Sequence, residues 1–194
     1  MKRLFDIAVS LIMLILLSPV FLIIGIVIIA DDGLPVIFRQ HRVGRNNELF
    51  YIYKFRTMRN GTRNVASGSL SESGERITRS GRFLRKTSLD ELPQLINILQ
   101  GRMSFVGPRP LIPEEKEIRE LRAKYNVYSV RPGRTGLAQI NGRDNLTDEE
   151  KAEFDREYVE NHTFAGDIAI MFRTVLAVLT GRDVVEGRGD SGKR

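Results

Sequence analysis

The sequence predicts an α+β protein: an N-terminal re-entrant, kinked membrane helix followed by a small cytoplasmic domain of helices around a β-hairpin. Three observations carry that expectation. Residues 7–30 hold no charged side chain and are dominated by Ile, Leu and Val. Residues 36–43 and 49–55 are strand-like runs joined by Gly44-Arg45-Asn46-Asn47. The rest alternates helix-period segments with glycine- and proline-rich connections. The expected organisation is a membrane helix over 1–32, a cytoplasmic domain over 33–182 and a flexible tail over 183–194.

The apolar run is long enough for a membrane helix and exceeds the apolar core of a signal peptide, and Ala30-Asp31-Asp32 lacks a small-x-small cleavage pattern. Ser18-Pro19 interrupts it at mid-length. Pro19 leaves the Ile15 carbonyl without its N–H partner, and Ser18 is expected to back-bond to the Leu14 carbonyl, so a kink belongs there. A proline-kinked spanning helix is the alternative, but it would place Lys2 and Arg3 on the opposite side from Arg39, Arg42 and Arg45. The positive-inside tendency favours a bent helix that enters and leaves by one face.

After the hairpin, Lys54-Phe55-Arg56-Thr57-Met58 sets basic residues at alternate positions, a pattern equally suited to a solvated strand face. Residues 60–74, rich in Gly, Ser, Asn and Thr, read as a loop and a candidate lid. Arg76, Arg79, Arg82 and Arg85 then recur every third residue, with Lys86 beside them.

Residues 87–101, TSLDELPQLINILQG, put Asp90 and Glu91 at the expected start of a helix. Leu89, Leu92, Leu95, Ile96 and Leu99 form its inward side, and Pro93, tolerated only in a first turn, sets its beginning near Asp90. Ser88 and Glu91 match a capping box, so capping alone would account for the acids. Against that reading, the cationic run lies upstream and Arg109 downstream.

Residues 103–106 form a strand candidate leading into Gly107-Pro108-Arg109-Pro110, where flanking prolines present the Arg109 guanidinium to a phosphate or carboxylate. A charged helix over 114–125 precedes a glycine-rich loop, Arg131-Pro132-Gly133-Arg134-Thr135-Gly136, that ends at Asn141-Gly142-Arg143. This loop is neither a P-loop nor a dinucleotide fingerprint. An acidic helix over 147–161 opens with a second capping box, Thr147 to Glu150. Residues 168–179 are apolar but too short to span a bilayer, which leaves a core helix or one lying at the membrane interface.

Composition narrows the chemistry. The absence of cysteine among 194 residues excludes disulfides and thiolate metal sites, and His41 and His162 lack partners for a zinc site. Any metal is therefore hard and oxygen-bound. A net charge of +6 points to an anionic partner.

The ordered set of Ser18-Pro19, KFRTM at 54–58, RFLRKTSLDELPQ at 82–94, VGPRP at 106–110 and RPG through NGR at 131–143 resembles the bacterial sugar transferases. These are also called small monotopic phosphoglycosyl transferases, and the likeness is to their short single-domain members. The resemblance implies transfer of a sugar 1-phosphate from a UDP-sugar to polyprenyl (undecaprenyl) phosphate, releasing UMP. It implies Mg2+, a place on the cytoplasmic face of the bacterial inner membrane, and no nucleic-acid partner. It also implies Asp90 as the nucleophile of a covalent aspartyl phosphosugar intermediate and supports the re-entrant helix.

With that chemistry, Asp90 and Glu91 are the expected catalytic and metal-holding residues, and Lys54, Arg85 and Arg109 the phosphate-binding ones. Two departures stand out: Arg134 where the family usually has an aliphatic residue, and Leu137 where it usually has tryptophan. Two alternatives remain open at this level. One is a non-catalytic, membrane-anchored basic protein that binds anions; the other is the same enzyme with direct transfer between two bound substrates.

Overall fold

A computed structural model describes residues 1–61, 76–142 and 145–180. The expected loop over 60–74 lies, beyond Gly61, outside the described residues, as do Arg143 and the tail over 183–194.

The apolar N-terminal run is two helices, α1 (Lys2–Leu16) and α2 (Ser18–Asp32), bent by 60°. No single helix among the described residues is long and apolar enough to cross a membrane; the bent pair meets the requirement only jointly. The kink has the expected cause with one correction. The Ser18 hydroxyl donates to the Ile15 carbonyl at 2.8 Å, not to Leu14. Ile15 is the acceptor that Pro19 cannot serve, and it takes the serine hydroxyl together with a backbone N–H at the helix end instead.

Both ends of the pair are tied to the same domain. At the start, Lys2 Nζ donates to the Val106 carbonyl, the Tyr158 hydroxyl and Asp167 Oδ2, while Arg3 donates to the carbonyls of Ile98 and Leu99. The buried Asp6 accepts from Ser104 Oγ and the Phe105 N–H. At the far end, Arg56 donates to the carbonyls of Asp32 and Gly33. Between these anchors Ile24 and Ile28 of α2 pack on Phe55 and Leu84. The opposite surface stays open, with Leu11, Ile12, Ile15, Leu16, Leu22 and Ile26 exposed.

The hairpin forms as expected. Strands β1 (Ile37–Val43) and β2 (Leu49–Phe55) pair antiparallel from Ile37↔Phe55 to Val43↔Leu49. Asn46 and Asn47 supply the left-handed backbone of the turn at φ 56° and 60°. Helix α3 (Arg79–Lys86) is capped by Thr78, whose hydroxyl accepts from the Gly81 N–H. A Cβ at Gly81 would collide with the Thr57 carbonyl, so glycine is what allows α3 to lie against the end of the KFRTM segment.

The expected helix start near Asp90 is corrected. Leu89–Glu91 form a single 3-10 turn, and α4 (Gln94–Leu99) begins only after Pro93. The Ser88–Glu91 capping box does not form: Ser88 is left-handed, at φ 55°, and its side chain caps nothing. Its N–H instead closes α3 by donating to the Arg85 carbonyl, because the chain must reverse between two short helices. The polar side of α4 is buried as deeply as the apolar one. Asn97 Nδ2 donates to the Tyr51 carbonyl and its Oδ1 accepts from the Tyr53 N–H, pinning the helix to the middle of β2.

Strand β3 (Ser104–Val106) pairs parallel with β4 (Gly133–Thr135), a partner the sequence did not reveal. A Cβ at Gly107 or Gly133 would strike the backbone of the other segment, so the glycines of GPRP and RPG allow the two strands to meet. Helices α5 (Lys116–Lys124), α6 (Leu137–Ile140), α7 (Asp148–Asn161) and α8 (Phe164–Thr180) complete the domain. The Thr147–Glu150 capping box forms reciprocally at the start of α7. Helix α8 packs Ile170 with Val106 and Tyr158, as a core helix does, and leaves Phe172, Val175 and Leu176 exposed.

Candidate active site

The 3-10 turn carrying Asp90 and Glu91 sits between α3 and α4, against the end of β2. Both acids are withdrawn from solvent, Asp90 at 7% relative exposure and the Glu91 side chain at 11%. Burying one carboxylate without a partner would cost several kcal/mol, so its surroundings must supply charge.

They do so from four places in the fold. Lys54, the penultimate residue of β2, donates to Glu91 Oε1 at 2.7 Å. Arg134, on β4, pairs ionically with Oε2, although that buried oxygen accepts no aligned hydrogen bond. Arg109 adds its field from the loop after β3, and Arg42 on β1 lies close enough to feel both Glu91 and Arg109. Burial pushes the Glu91 pKa up, but Arg134, Lys54 and Arg109 outweigh it and hold the group well below the usual carboxylate range. Glu91 is therefore ionised across the physiological range.

The Arg109 guanidinium has no hydrogen-bond or ion-pair partner among the described residues, whereas its backbone is held firmly. Its carbonyl accepts from Arg122 at 2.7 Å, and the adjoining Pro110 carbonyl accepts from Arg42 at 3.1 Å. A fixed backbone carrying an uncommitted cation beside a buried carboxylate is suited to an incoming anion. Arg42 is itself largely buried, and desolvation together with Arg109 lowers its pKa.

The expected site residues thus separate. Lys54 and Arg109 gather at Glu91, next to Asp90. Arg85 donates through Nε to Thr57 Oγ1, which ties α3 to the KFRTM segment. Arg79 and Arg82 do not converge on the acids as the sequence suggested. They line a cavity of about 530 Å³ with Asp31, Asp32, Arg59, Ile77 and Thr78, because the helical period turns them toward the end of α2. Ser18 and Pro19 lie at the bend between α1 and α2.

Sequence reasoning noted Arg134 only as a departure and missed its contact with Glu91. The available signal was its place between the buried Gly133 and Thr135, which directs its side chain to the other face of β4. Arg122 carried no signal beyond membership of a charged helix.

The bacterial sugar transferase family model matches residues 1–181, and this chain belongs to that family. It is similar to the undecaprenyl-phosphate galactose phosphotransferase of Salmonella typhimurium, 41% identical over 92% of this chain and 40% of that protein. The UDP-glucose:undecaprenyl-phosphate glucose-1-phosphate transferase of Escherichia coli is 41% identical over 90% of this chain and 39% of its own length. The exopolysaccharide production protein ExoY of Sinorhizobium fredii is 39% identical over 93% of this chain and 86% of its own length. The chain thus spans about two fifths of the first two relatives (40% and 39%) and most of the third.

Proposed function

We propose that this protein transfers a sugar 1-phosphate from a UDP-sugar to polyprenyl phosphate at a membrane surface, through a covalent intermediate on Asp90. The observation that carries this reading is the Asp90–Glu91 pair, withdrawn from water, with Lys54, Arg134, Arg109 and Arg42 gathered around Glu91. A simple anion binder gains nothing from two carboxylates inside its cationic patch. A transferase needs a nucleophile there, and the names of the relatives supply UDP-glucose as donor and undecaprenyl phosphate as acceptor.

In the first half-reaction a carboxylate oxygen of Asp90 attacks the sugar-bearing phosphorus, an acyl–phosphate bond forms, and the P–O bond to UMP breaks. In the second, a phosphate oxygen of the polyprenyl acceptor attacks the same phosphorus, the acyl–phosphate bond breaks and Asp90 returns as carboxylate. Arg109, Arg134 and Lys54 stabilise charge on the transferring and leaving oxygens. The acceptor is already mostly dianionic at neutral pH, its second pKa being about 6, so it needs no strong general base.

The residues fit a magnesium ion bound largely by substrate. Glu91 Oε2 is a buried oxygen without a hydrogen bond, and the buried Asp90 is its neighbour in the chain. Among the described residues no third acid or histidine joins them, and Mg2+ is commonly held by one or two carboxylates plus phosphates and water. Asp90 and Glu91 would hold the ion, which supplies neutralisation of the diphosphate when bound.

The bent α1–α2 pair acts, in this reading, as a re-entrant anchor on the cytoplasmic face of the inner membrane. Support comes from the anchoring of Lys2, Arg3 and Asp32 to one domain and from the exposed apolar surface between them. A cysteine placed before Lys2 and a Leu34→Cys variant are both expected to label only from the cytoplasmic side. Periplasmic labelling of the first would make the segment a spanning helix.

The transfer reading is tested by intact mass spectrometry after incubation with UDP-sugar alone. The expected result is one sugar-phosphate adduct per chain with about one equivalent of UMP, both absent in Asp90→Asn. UMP release that requires acceptor, with no adduct, would favour direct transfer between two bound substrates. No UMP release from any UDP-sugar, with or without acceptor, would return the chain to anion binding.

A further inference from the structure

We infer that Arg134 is an exchangeable counter-ion of Glu91, which occupies Oε2 in the donor-free protein and must leave it before a divalent cation can bind there. The inference rests on the transfer reading above and concerns how its metal site is gated. The two oxygens of Glu91 are held in different ways. Oε1 receives a directed hydrogen bond from Lys54, whereas Oε2 faces Arg134 in an ion pair with no aligned hydrogen bond. Arg134 is the nearer cation and the stronger charge on Glu91, but it holds Oε2 without the directed N–H···O bonds through which a guanidinium normally grips a carboxylate, so its hold is electrostatic and can pass to another cation.

Exposure points the same way. The Arg134 side chain retains 33% relative exposure, against 23% for Lys54 and 11% for Glu91. Arg134 can therefore swing toward solvent without dragging a buried group with it, while Lys54 continues to neutralise Oε1. Its backbone cannot follow, because Gly133 on one side is packed against Gly107 and Thr135 on the other pairs with Val106. The motion is confined to the side chain. A cation that takes Oε2 would free the guanidinium to join Arg109, the other arginine that acts on Glu91, in meeting a diphosphate.

Metal and Arg134 thus compete for one oxygen, and donor phosphate relieves the competition by giving the arginine a new partner. Removing the arginine must then tighten metal binding when no donor is present, whatever it does to turnover. Mn2+ serves as the probe, because loss of the electron paramagnetic resonance signal of the free ion reports binding directly. The full chain in detergent is used, with melting curves to verify folding.

Arg134→Leu is expected to lower the apparent Kd for Mn2+ by about tenfold, the change that 1.4 kcal/mol produces. The gain should vanish in the Glu91→Gln/Arg134→Leu double variant, since the competition runs through Oε2. Arg134→Gln gives the same direction if the leucine variant fails to fold. An unchanged or weaker Kd in these variants, a gain that survives Glu91→Gln, or no Mn2+ binding to any of them would overturn the exchange. The transfer reading would be unaffected, since UMP release judges it separately.

Discussion

Glu91 in the candidate active site and Asp155 on α7 are both almost fully buried carboxylates facing arginine, yet their pKa values move in opposite directions. Asp155 has one cation, Arg122, at 2.5 Å; burial pushes its pKa up, and that single partner does not bring it back. Glu91 has Lys54, Arg134 and Arg109, which overcome the same desolvation. One ion pair roughly cancels charge without recovering the hydration lost on burial. A surplus of cations is the mark of a place that awaits further negative charge. The Arg122–Asp155 pair is by contrast a brace, and what it braces is the Arg109 loop, through the hydrogen bond from Arg122 to the Arg109 carbonyl.

The largest effect should come from breaking the brace. Arg122→Leu strands Asp155 and is expected to cost about 3–5 kcal/mol, seen as a melting temperature lower by about 10 °C. Adding Asp155→Leu should recover part of that loss. If the double variant is no more stable than the single one, the pair is not where the cost arises.

Arg109→Lys leaves the brace intact and removes the planar fork. Turnover efficiency is expected to fall about a hundredfold, near 2.7 kcal/mol of transition-state stabilisation, with an unchanged melting curve. Near wild-type kcat/KM would make Arg109 a turn residue.

A smaller effect separates the two carboxylates by pH. The folded-state pKa of Glu91 is depressed, so its ionised form contributes stability above the ordinary carboxylate range and loses it as pH falls toward the depressed value. Glu91→Gln is expected to be less stable than wild type by about 1–2 kcal/mol at pH 7, with the gap closing below about pH 4. Asp155 has the opposite sign. Its raised pKa makes the ionised form a cost at neutral pH, so Asp155→Asn should gain relative to wild type as pH rises from 4 to 7. Denaturant titrations across that range check both slopes, and parallel slopes for the two variants would remove the distinction.

The smallest effect concerns a feature remote from either carboxylate. Thr147→Ala removes the hydroxyl that accepts from the Glu150 N–H and is expected to cost about 1 kcal/mol, with turnover per folded molecule unchanged. A loss of turnover at constant folded fraction would tie α7 to the site more closely than the brace alone does.

Much of this protein was decided within short stretches of sequence. The hairpin follows from two strand-like runs around Asn46-Asn47, the bend from Ser18-Pro19, and the start of α7 from Thr147 and Glu150, because turns, kinks and caps depend on residues within four positions of one another. Asp90, Glu91, Lys54 and Arg109 were legible as charge-bearing residues in ordered motifs, and the family resemblance was legible from the same motifs. The same local rule failed at Ser88, where a capping-box pattern became a left-handed reversal because two helices had to be joined there. Only the tertiary structure paired β3 with β4 across the Gly107–Gly133 contact, set Arg134 on Glu91, and turned Arg79 and Arg82 toward the end of α2. Those outcomes join residues tens of positions apart. Which cation meets a carboxylate depends on how strands and helices pack in space, and nothing in the spacing of the residues along the chain encodes it.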